Sequence, residues 1–163
     1  MMKFRTGIGY DIHRLKAGNG LFIGGVKISA SLMAEAHSDG DVLIHSLIDA
    51  LLGAMGRPDI GELFPDSDPQ FKRIESLRLL GKVNEILVRD RFEIINIDSV
   101  LIIEAPQISP FKNEIKKKIT AILQIPQTNF NLKAKSKEKI DAVGRGEALE
   151  CFCSVLLGKT ERD

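Results

Sequence analysis

Glu147-Ala-Leu-Glu-Cys-Phe-Cys-Ser-Val-Leu-Leu-Gly158 decides how this chain folds. A short, almost continuous apolar run rich in strand formers, preceded by Gly146 and closed by Gly158, reads as a buried strand. Both faces of such a strand carry apolar side chains, so both need cover. Helices of the same chain can cover one face. The other calls for a partner, which makes a homo-oligomer the expectation. Within the run, Cys151 and Cys153 stand at i and i+2 and point to the same side of the sheet. That spacing misfits ordinary disulfide geometry, so they read as small core side chains, with redox pairing as the alternative.

The rest of the chain supplies the cover. Phe130 to Ser136, Phe92 to Glu104, Phe4 to Leu15 and Leu21 to Ile28 read as further strands, with a bend at Gly24-Gly25. From Asp41 to Met55 the residues Val42, Leu47, Ile48, Leu51, Leu52 and Met55 form a helical stripe, with Asp39 as its N-cap and Asp41, His45 and Asp49 on the opposite edge. A second helix spans Ile74 to Arg91. Ser109-Pro110 opens a third, with Phe111, Ile115, Ile119 and Ile122 inward and Lys116, Lys117 and Lys118 in solvent. Between the first two helices, Gly56 to Phe71 carries Pro58, Pro65 and Pro69 among acidic residues, which predicts an irregular functional loop. Strands interspersed with three helices, not strictly alternating, predict an α/β (α+β) sandwich: a mixed sheet with helices on one face.

At 163 residues and 44% hydrophobic content the chain can bury one core, so residues 1–163 read as one domain. Its 23 basic residues balance 22 acidic ones, which argues against nucleic acid as a partner. The sequence contains no apolar run long enough to span a membrane, and Met1 to Gly7 lacks the apolar core of a secretory signal, so a cytoplasmic location is expected.

Asp11 and His13 flank Ile12 on a strand, so both point to one side; His45, on the first helix, can complete a set of three ligands. Three N/O ligands with a fourth position open is how catalytic zinc is held, although incidental polar residues would give the same spacing. All three histidines of the chain, His37 included, fall within its first 45 positions beside acidic or hydroxyl residues, which favours a site. Ser38-Asp39-Gly40-Asp41 lacks the ligand run of a calcium loop and reads as capping. Lys133, Lys135 and Lys137 share a strand face, either as a phosphate-facing wall or as a protected sheet edge. Gly144-Arg145-Gly146 offers either an anion site or a tight turn.

Gly9-Tyr-Asp-Ile-His-Arg14, Phe22-Ile-Gly-Gly-Val26, Ala36-His-Ser-Asp-Gly-Asp-Val-Leu-Ile-His45, Asp59-Ile-Gly-Glu-Leu-Phe-Pro-Asp-Ser-Asp-Pro69 and Gly144-Arg-Gly-Glu-Ala148 occur in this order. Together they resemble the 2-C-methyl-D-erythritol 2,4-cyclodiphosphate synthase family from about Thr6 to Leu157. The resemblance implies cyclisation of 4-diphosphocytidyl-2-C-methyl-D-erythritol 2-phosphate with release of CMP, a phosphorus-oxygen lyase step of non-mevalonate isoprenoid biosynthesis. It further implies a ferredoxin-like arrangement whose sheets pack around a homotrimer axis, with active sites at the subunit interfaces.

Site residues follow from the same resemblance. Zinc would be held by Asp11, His13 and His45, and a second divalent ion, Mg²⁺ or Mn²⁺, by Glu138. His37 and Ser136 match the family's transition-state stabilisers. Ser38, Asp59, Ile60 and Gly61 would meet the methylerythritol phosphate, and Phe64 to Asp68, including Asp66, would continue that wall. Ala105, Pro106, Ser109, Lys135 and Lys137 would line a cytidine pocket contributed by a neighbouring subunit. Arg145 would face a central trimer cavity in which a prenyl diphosphate can bind. The chain departs from the family at Lys135-Ser136-Lys137, where a threonine-rich run is usual, and at Ala142, where an aromatic is usual. Two other readings of the residues are a metal-dependent phosphodiesterase or phosphatase in which water attacks, and an oligomeric binding module without chemistry.

Overall fold

A computed structural model describes residues 2–36, 38–65, 67–71 and 74–160. Five strands form the main sheet: β1 (Met2–Ala17), β4 (Leu32–Glu35), β5 (Phe92–Ile102), β6 (Phe130–Lys135) and β7 (Ala148–Thr160), in the order β4-β1-β7-β5-β6. The deciding segment, now β7, is central and antiparallel to both β1 and β5, which is why it reads as almost continuously apolar. Only β5 and β6 run parallel, so the sheet is mixed. β2 (Leu21–Ile23) and β3 (Val26–Ser29) form a separate hairpin that turns at Gly24 and Gly25, both at positive φ.

Helices α1 (Val42–Met55), α3 (Ser76–Arg89) and α4 (Lys112–Leu123) lie on one face, as the patterning predicts. α1 can seat directly on β1 because Gly7 and Gly9 carry no side chain: a Cβ at Gly7 would fall 2.0 Å from the Ala50 carbonyl oxygen, and one at Gly9 1.9 Å from that of Ser46. Leu43, Leu47, Leu51 and Leu52 of α1 pack in one core with Cys151, Cys153, Val155 and Leu157 of β7, all buried. Truncating a leucine there to alanine costs about 2–5 kcal/mol. Both cysteines are free, and burial pushes both thiols up, so they act as core atoms.

Among the described residues, much of the opposite face of the sheet is open, apart from the Glu150 end, where Lys137 and Tyr10 close over the carboxylate. Phe4, Ile8, Tyr10 and Ile12 of β1 and Phe152 of β7 stand exposed there, Ile8 at 75%. Strand alternation produces this directly, since the odd-numbered residues of β1 turn toward α1.

Several expectations need correction. α1 is capped by Asp41, whose carboxylate accepts from the Ile44 amide at 3.2 Å, not by Asp39. The Pro-rich loop is not wholly irregular, because a four-residue helix α2 (Ile60–Leu63), capped by Asp59, and a short 3₁₀ turn at Pro69–Phe71 form inside it. Ser109-Pro110 opens a 3₁₀ turn, and α4 proper begins at Lys112. β6 ends at Lys135, so Lys137 leaves the strand and does not share a face with Lys133 and Lys135. β4 and a last short helix, α5 (Asp141–Gly144), are too brief for a periodic signal.

Candidate functional site

β1 and α1 build the centre of the site. The β1 face turned toward α1 presents Asp11 and His13 two residues apart, and the first turn of α1 brings His45 over them. Asp11 Oδ2 lies 3.0 Å from His13 Nε2 and 3.0 Å from His45 Nδ1, and the two imidazole nitrogens are 3.2 Å apart. A tetrahedral site with bonds of about 2.0–2.1 Å spaces its ligand atoms by about 3.3 Å, so this triangle has the dimensions of a zinc-type centre. Among the described residues these three are the one group of His, Cys, Asp and Glu close enough to hold a metal ion.

The electrostatics match that geometry. Burial pushes the Asp11 carboxyl up, but hydrogen bonds from His13 and His45 outweigh it and hold the group down at about 2. Burial pulls His45 down, and its bond to Asp11 overcomes this, so the imidazole is raised above its ordinary range. The second carboxylate oxygen of Asp11 is engaged as well: Oδ1 accepts from the Ile12 amide at 2.9 Å, which leaves Oδ2 for the centre.

A cleft of about 290 Å³ opens beside the centre, lined by His13, His45, Ser38, Ile60, Gly61 and Phe64 among others. Ser38 Oγ stands 3.3 Å from His45 Nε2. The α2 wall of the cleft is fastened from α1, because Asp49, one turn after His45, accepts from the Ile60 amide at 2.8 Å. Burial pushes the Asp49 carboxyl up. Asp59 accepts from the Glu62 amide at 2.9 Å, and Asp68 from the Gln70 amide at 3.0 Å. His37 and Asp66 lie outside the described residues.

The other predicted residues gather elsewhere, at the C-terminal ends of the parallel strands β5 and β6, where α/β sheets commonly place ligands. The Glu104 carboxylate accepts from the Lys137 amide at 3.2 Å and ties the Ala105-Pro106 loop to the Ser136 turn. Ser136 Oγ donates to Glu138 at 2.8 Å, with both side chains exposed. Neither these residues nor Ala105, Pro106 and Ser109 line the cleft of the same chain. Lys133 pairs with Asp98 across the strand edge, and Lys137 pairs with Glu150 and Asp141. Arg145 forms two 3.0 Å bonds to Glu147, which borders a cavity of about 500 Å³ with Ile12, Arg14, Leu15 and Ala142.

Two roles escaped the sequence. Asp49 shows only as a polar position on α1, and nothing local reveals its grip on Ile60. Ser76 is fully buried, 2.8 Å from His45 Nε2, and is held by Asp39. A serine at a helix start reads as a cap, and only the fold brings it to the imidazole.

Residues 4–158 match the model of the YgbB family. The chain is 47% identical over 154 residues to the 2-C-methyl-D-erythritol 2,4-cyclodiphosphate synthase of Caldicellulosiruptor bescii, covering 94% of this chain and 98% of that one. It superposes on the IspF–CDP complex of Plasmodium falciparum with a TM-score of 0.86 at 35% identity, covering 97% of each. It also superposes on the bifunctional IspDF of Campylobacter jejuni with a TM-score of 0.94 at 38% identity, covering 99% of this chain and 44% of that longer one.

Proposed function

This chain belongs to the YgbB family, and we infer that it cyclises 4-diphosphocytidyl-2-C-methyl-D-erythritol 2-phosphate to 2-C-methyl-D-erythritol 2,4-cyclodiphosphate, releasing CMP, in non-mevalonate isoprenoid biosynthesis. The observation that carries the reading is the Asp11, His13 and His45 triangle at the edge of a cleft walled by Ile60, Gly61 and Phe64.

An oxygen of the substrate's 2-phosphate bonds to the β-phosphorus, and the bond from that phosphorus to the bridging oxygen breaks, leaving with CMP. The nucleophile belongs to the substrate, so the protein's work is positioning and charge stabilisation, and the step is a phosphorus-oxygen lyase reaction. Asp11, His13 and His45 would hold zinc and Glu138 would hold Mg²⁺ or Mn²⁺, and such ions would supply positive charge to a crowded polyanion. Ser38, Asp59 and the amides about Ile60 and Gly61 hold the methylerythritol phosphate, with Phe64 and the Asp66 to Asp68 segment beside them. His37 and Ser136 donate to oxygens on which charge develops.

The active unit is a homotrimer. Two observations support it: the exposed apolar patch of Phe4, Ile8, Tyr10, Ile12 and Phe152 on the sheet, and the separation of Ser136, Glu138 and the Ala105 to Ser109 loop from the cleft of their own chain. A neighbouring subunit then brings the cytidine-binding loop to the metal centre, with Lys135 at its edge. Arg145, beside the cavity bordered by Ala142 and Glu147, is the residue that would meet a prenyl diphosphate in a central trimer cavity. The protein acts in the cytoplasm. Among the described residues no helix is long and apolar enough to cross a membrane.

The test is product analysis of purified protein with substrate in ¹⁸O-labelled water. Equal amounts of CMP and cyclodiphosphate, neither labelled, are expected. Label in a linear phosphate product would show that water attacks, making the chain a hydrolase.

A further inference from the structure

His45 meets the metal centre through Nδ1, and its other ring nitrogen is also engaged. Nε2 lies 2.8 Å from Ser76 Oγ, a fully buried hydroxyl at the start of α3. Ser76 is in turn gripped twice by Asp39: its amide donates to Oδ2 at 2.9 Å, and its hydroxyl donates to Oδ1 through a short bond. An ionised carboxylate can only accept, so the single hydroxyl proton of Ser76 is committed to Asp39. Toward His45 the serine therefore presents a lone pair. Ser38 Oγ, at 3.3 Å, is the more distant neighbour and is already accepting from the Gly40 amide at 3.2 Å.

We propose that Asp39 and Ser76 are positioning residues that form a relay fixing His45 with its proton on Nε2, so that the Nδ1 lone pair is aimed at the cation. The proposal rests on the reading of the Asp11, His13 and His45 triangle as a metal centre. An imidazole that gives one nitrogen to a metal must place its remaining N–H on an acceptor, and an acceptor polarised by a carboxylate raises the basicity of the ligand. Ser76 is such an acceptor, with Asp39 behind it. Neither residue is a nucleophile, because Ser76 has no exposed surface and its proton already faces Asp39.

The placement of Asp39 explains why it does not cap α1. The turn Ser38 to Asp41 holds it by a 3.3 Å bond from the Asp41 amide, and Gly40, at φ +68°, passes too close to Ala34 to carry a Cβ. Asp39 then reaches across to α3, whose own N-cap Glu75 makes no side-chain capping bond. One carboxylate thus fastens the start of a second helix and, through it, the orientation of a metal ligand on the first.

The test compares Ser76→Ala, Asp39→Asn and the double variant of the full chain, measuring zinc affinity by chelator competition and the His45 Nε2–H resonance by NMR. Asn at position 39 would turn an amide donor onto Ser76 Oγ, freeing the hydroxyl proton to oppose Nε2–H. Each single variant should lose about 10–100-fold in zinc affinity and lose the protected Nε2–H signal. The double variant should be within about twofold of Ser76→Ala, because Asp39 acts through Ser76. Unchanged affinity and an intact signal in both single variants, with only the melting temperature lowered, would reduce the pair to a structural tie and overturn the proposal. If the wild type binds no zinc, the metal reading fails, and the Nε2–H signal of the metal-free variants still decides the relay.

Discussion

Lys137 Nζ lies 2.7 Å from Oε1 of Glu150, a carboxylate buried on β7, so the ammonium that the sequence offers either to a phosphate or to a protected sheet edge pairs within its own chain. Tyr10 donates to the other Glu150 oxygen at 3.0 Å, and Asp141 stands 3.2 Å from the lysine. Glu150 is buried while Lys137 is half-exposed, so removing the lysine leaves the buried carboxylate without its cation. Lys137→Ala should therefore lower the melting temperature while KM stays near wild type, and adding Glu150→Gln should restore part of the loss. Calorimetry with steady-state kinetics decides it. A several-fold rise in KM at unchanged melting temperature would return Lys137 to the phosphate.

Asp49 connects α1, the helix that carries His45, to the cleft wall through the Ile60 amide. Asp49→Asn keeps an acceptor oxygen and should preserve most activity. Asp49→Ala frees the start of α2 and should raise KM about tenfold with zinc content unchanged, the pattern of lost substrate positioning. Hydrogen exchange at the Ile60 amide should speed up in Asp49→Ala alone. Equal exchange in both variants would show that the bond does not hold the wall.

Metal removal should show a pH signature. In the metal-free protein Asp11, held at about 2 against an ordinary 3.8, contributes stability that is present above pH 3.8 and lost as pH falls toward 2. His45, raised above 6.5, contributes stability that is present below 6.5 and lost as pH rises through its elevated value. Both contributions are full between about pH 4 and 6.5. A bound metal takes the place of the His45 proton, so loaded protein should keep the contact at higher pH. The rise in melting temperature on adding zinc to chelator-treated protein should be larger at pH 8 than at pH 5.5. The opposite order would exclude His45 as a ligand.

What the sequence made legible followed physical range. Alternation along β1 places Asp11 and His13 on one side, because that pattern is local, whereas the stripe of α1 sets His45 on its opposite edge and the fold brings it over them. The core role of Cys151 and Cys153 was equally readable. The cap of α1 is not legible for a physical reason: Asp39 and Asp41 both suit an N-cap, and the choice depends on Ser76, 37 residues from Asp39. Lys137 was misplaced because strand alternation was carried two residues past the end of β6, into a turn where Glu138 and Lys139 have positive φ. Four-residue helices such as α2 and α5 hold too little of a 3.6-residue period to announce themselves.

Ile8 offers the sharpest test of assembly. At 75% exposure it touches little in its own chain, so Ile8→Asp should barely affect folding of one subunit. On a subunit face it would bury a carboxylate among Phe4, Tyr10 and Phe152, and the assembly should dissociate. Sedimentation should show monomers, with activity lost in step. Wild-type sedimentation and turnover would mean that this face is not covered by other copies.

Ser136 and Glu138 are coupled before any substrate arrives, since the hydroxyl donates to the carboxylate at 2.8 Å. The turn holding them is built with some strain. Glu138 and Lys139 sit at φ 52° and 62°, a conformation costing about 1–2 kcal/mol per non-glycine residue, and Gly144 packs so closely that a Cβ there would lie 2.4 Å from the Lys139 backbone. A divalent ion on Glu138 would draw the carboxylate away and free the hydroxyl to meet phosphate. Ser136→Ala should then lower kcat by on the order of 10²-fold with little change in KM, the scale of losing one transition-state donor. Ser136→Thr should keep most activity, because it retains the donor. Glu138→Gln should instead raise the Mg²⁺ or Mn²⁺ concentration needed for half-maximal rate. If Ser136→Ala keeps wild-type kcat at saturating Mg²⁺, the hydroxyl serves only to hold Glu138 in the resting enzyme, and the donor to the developing charge must be sought at another residue.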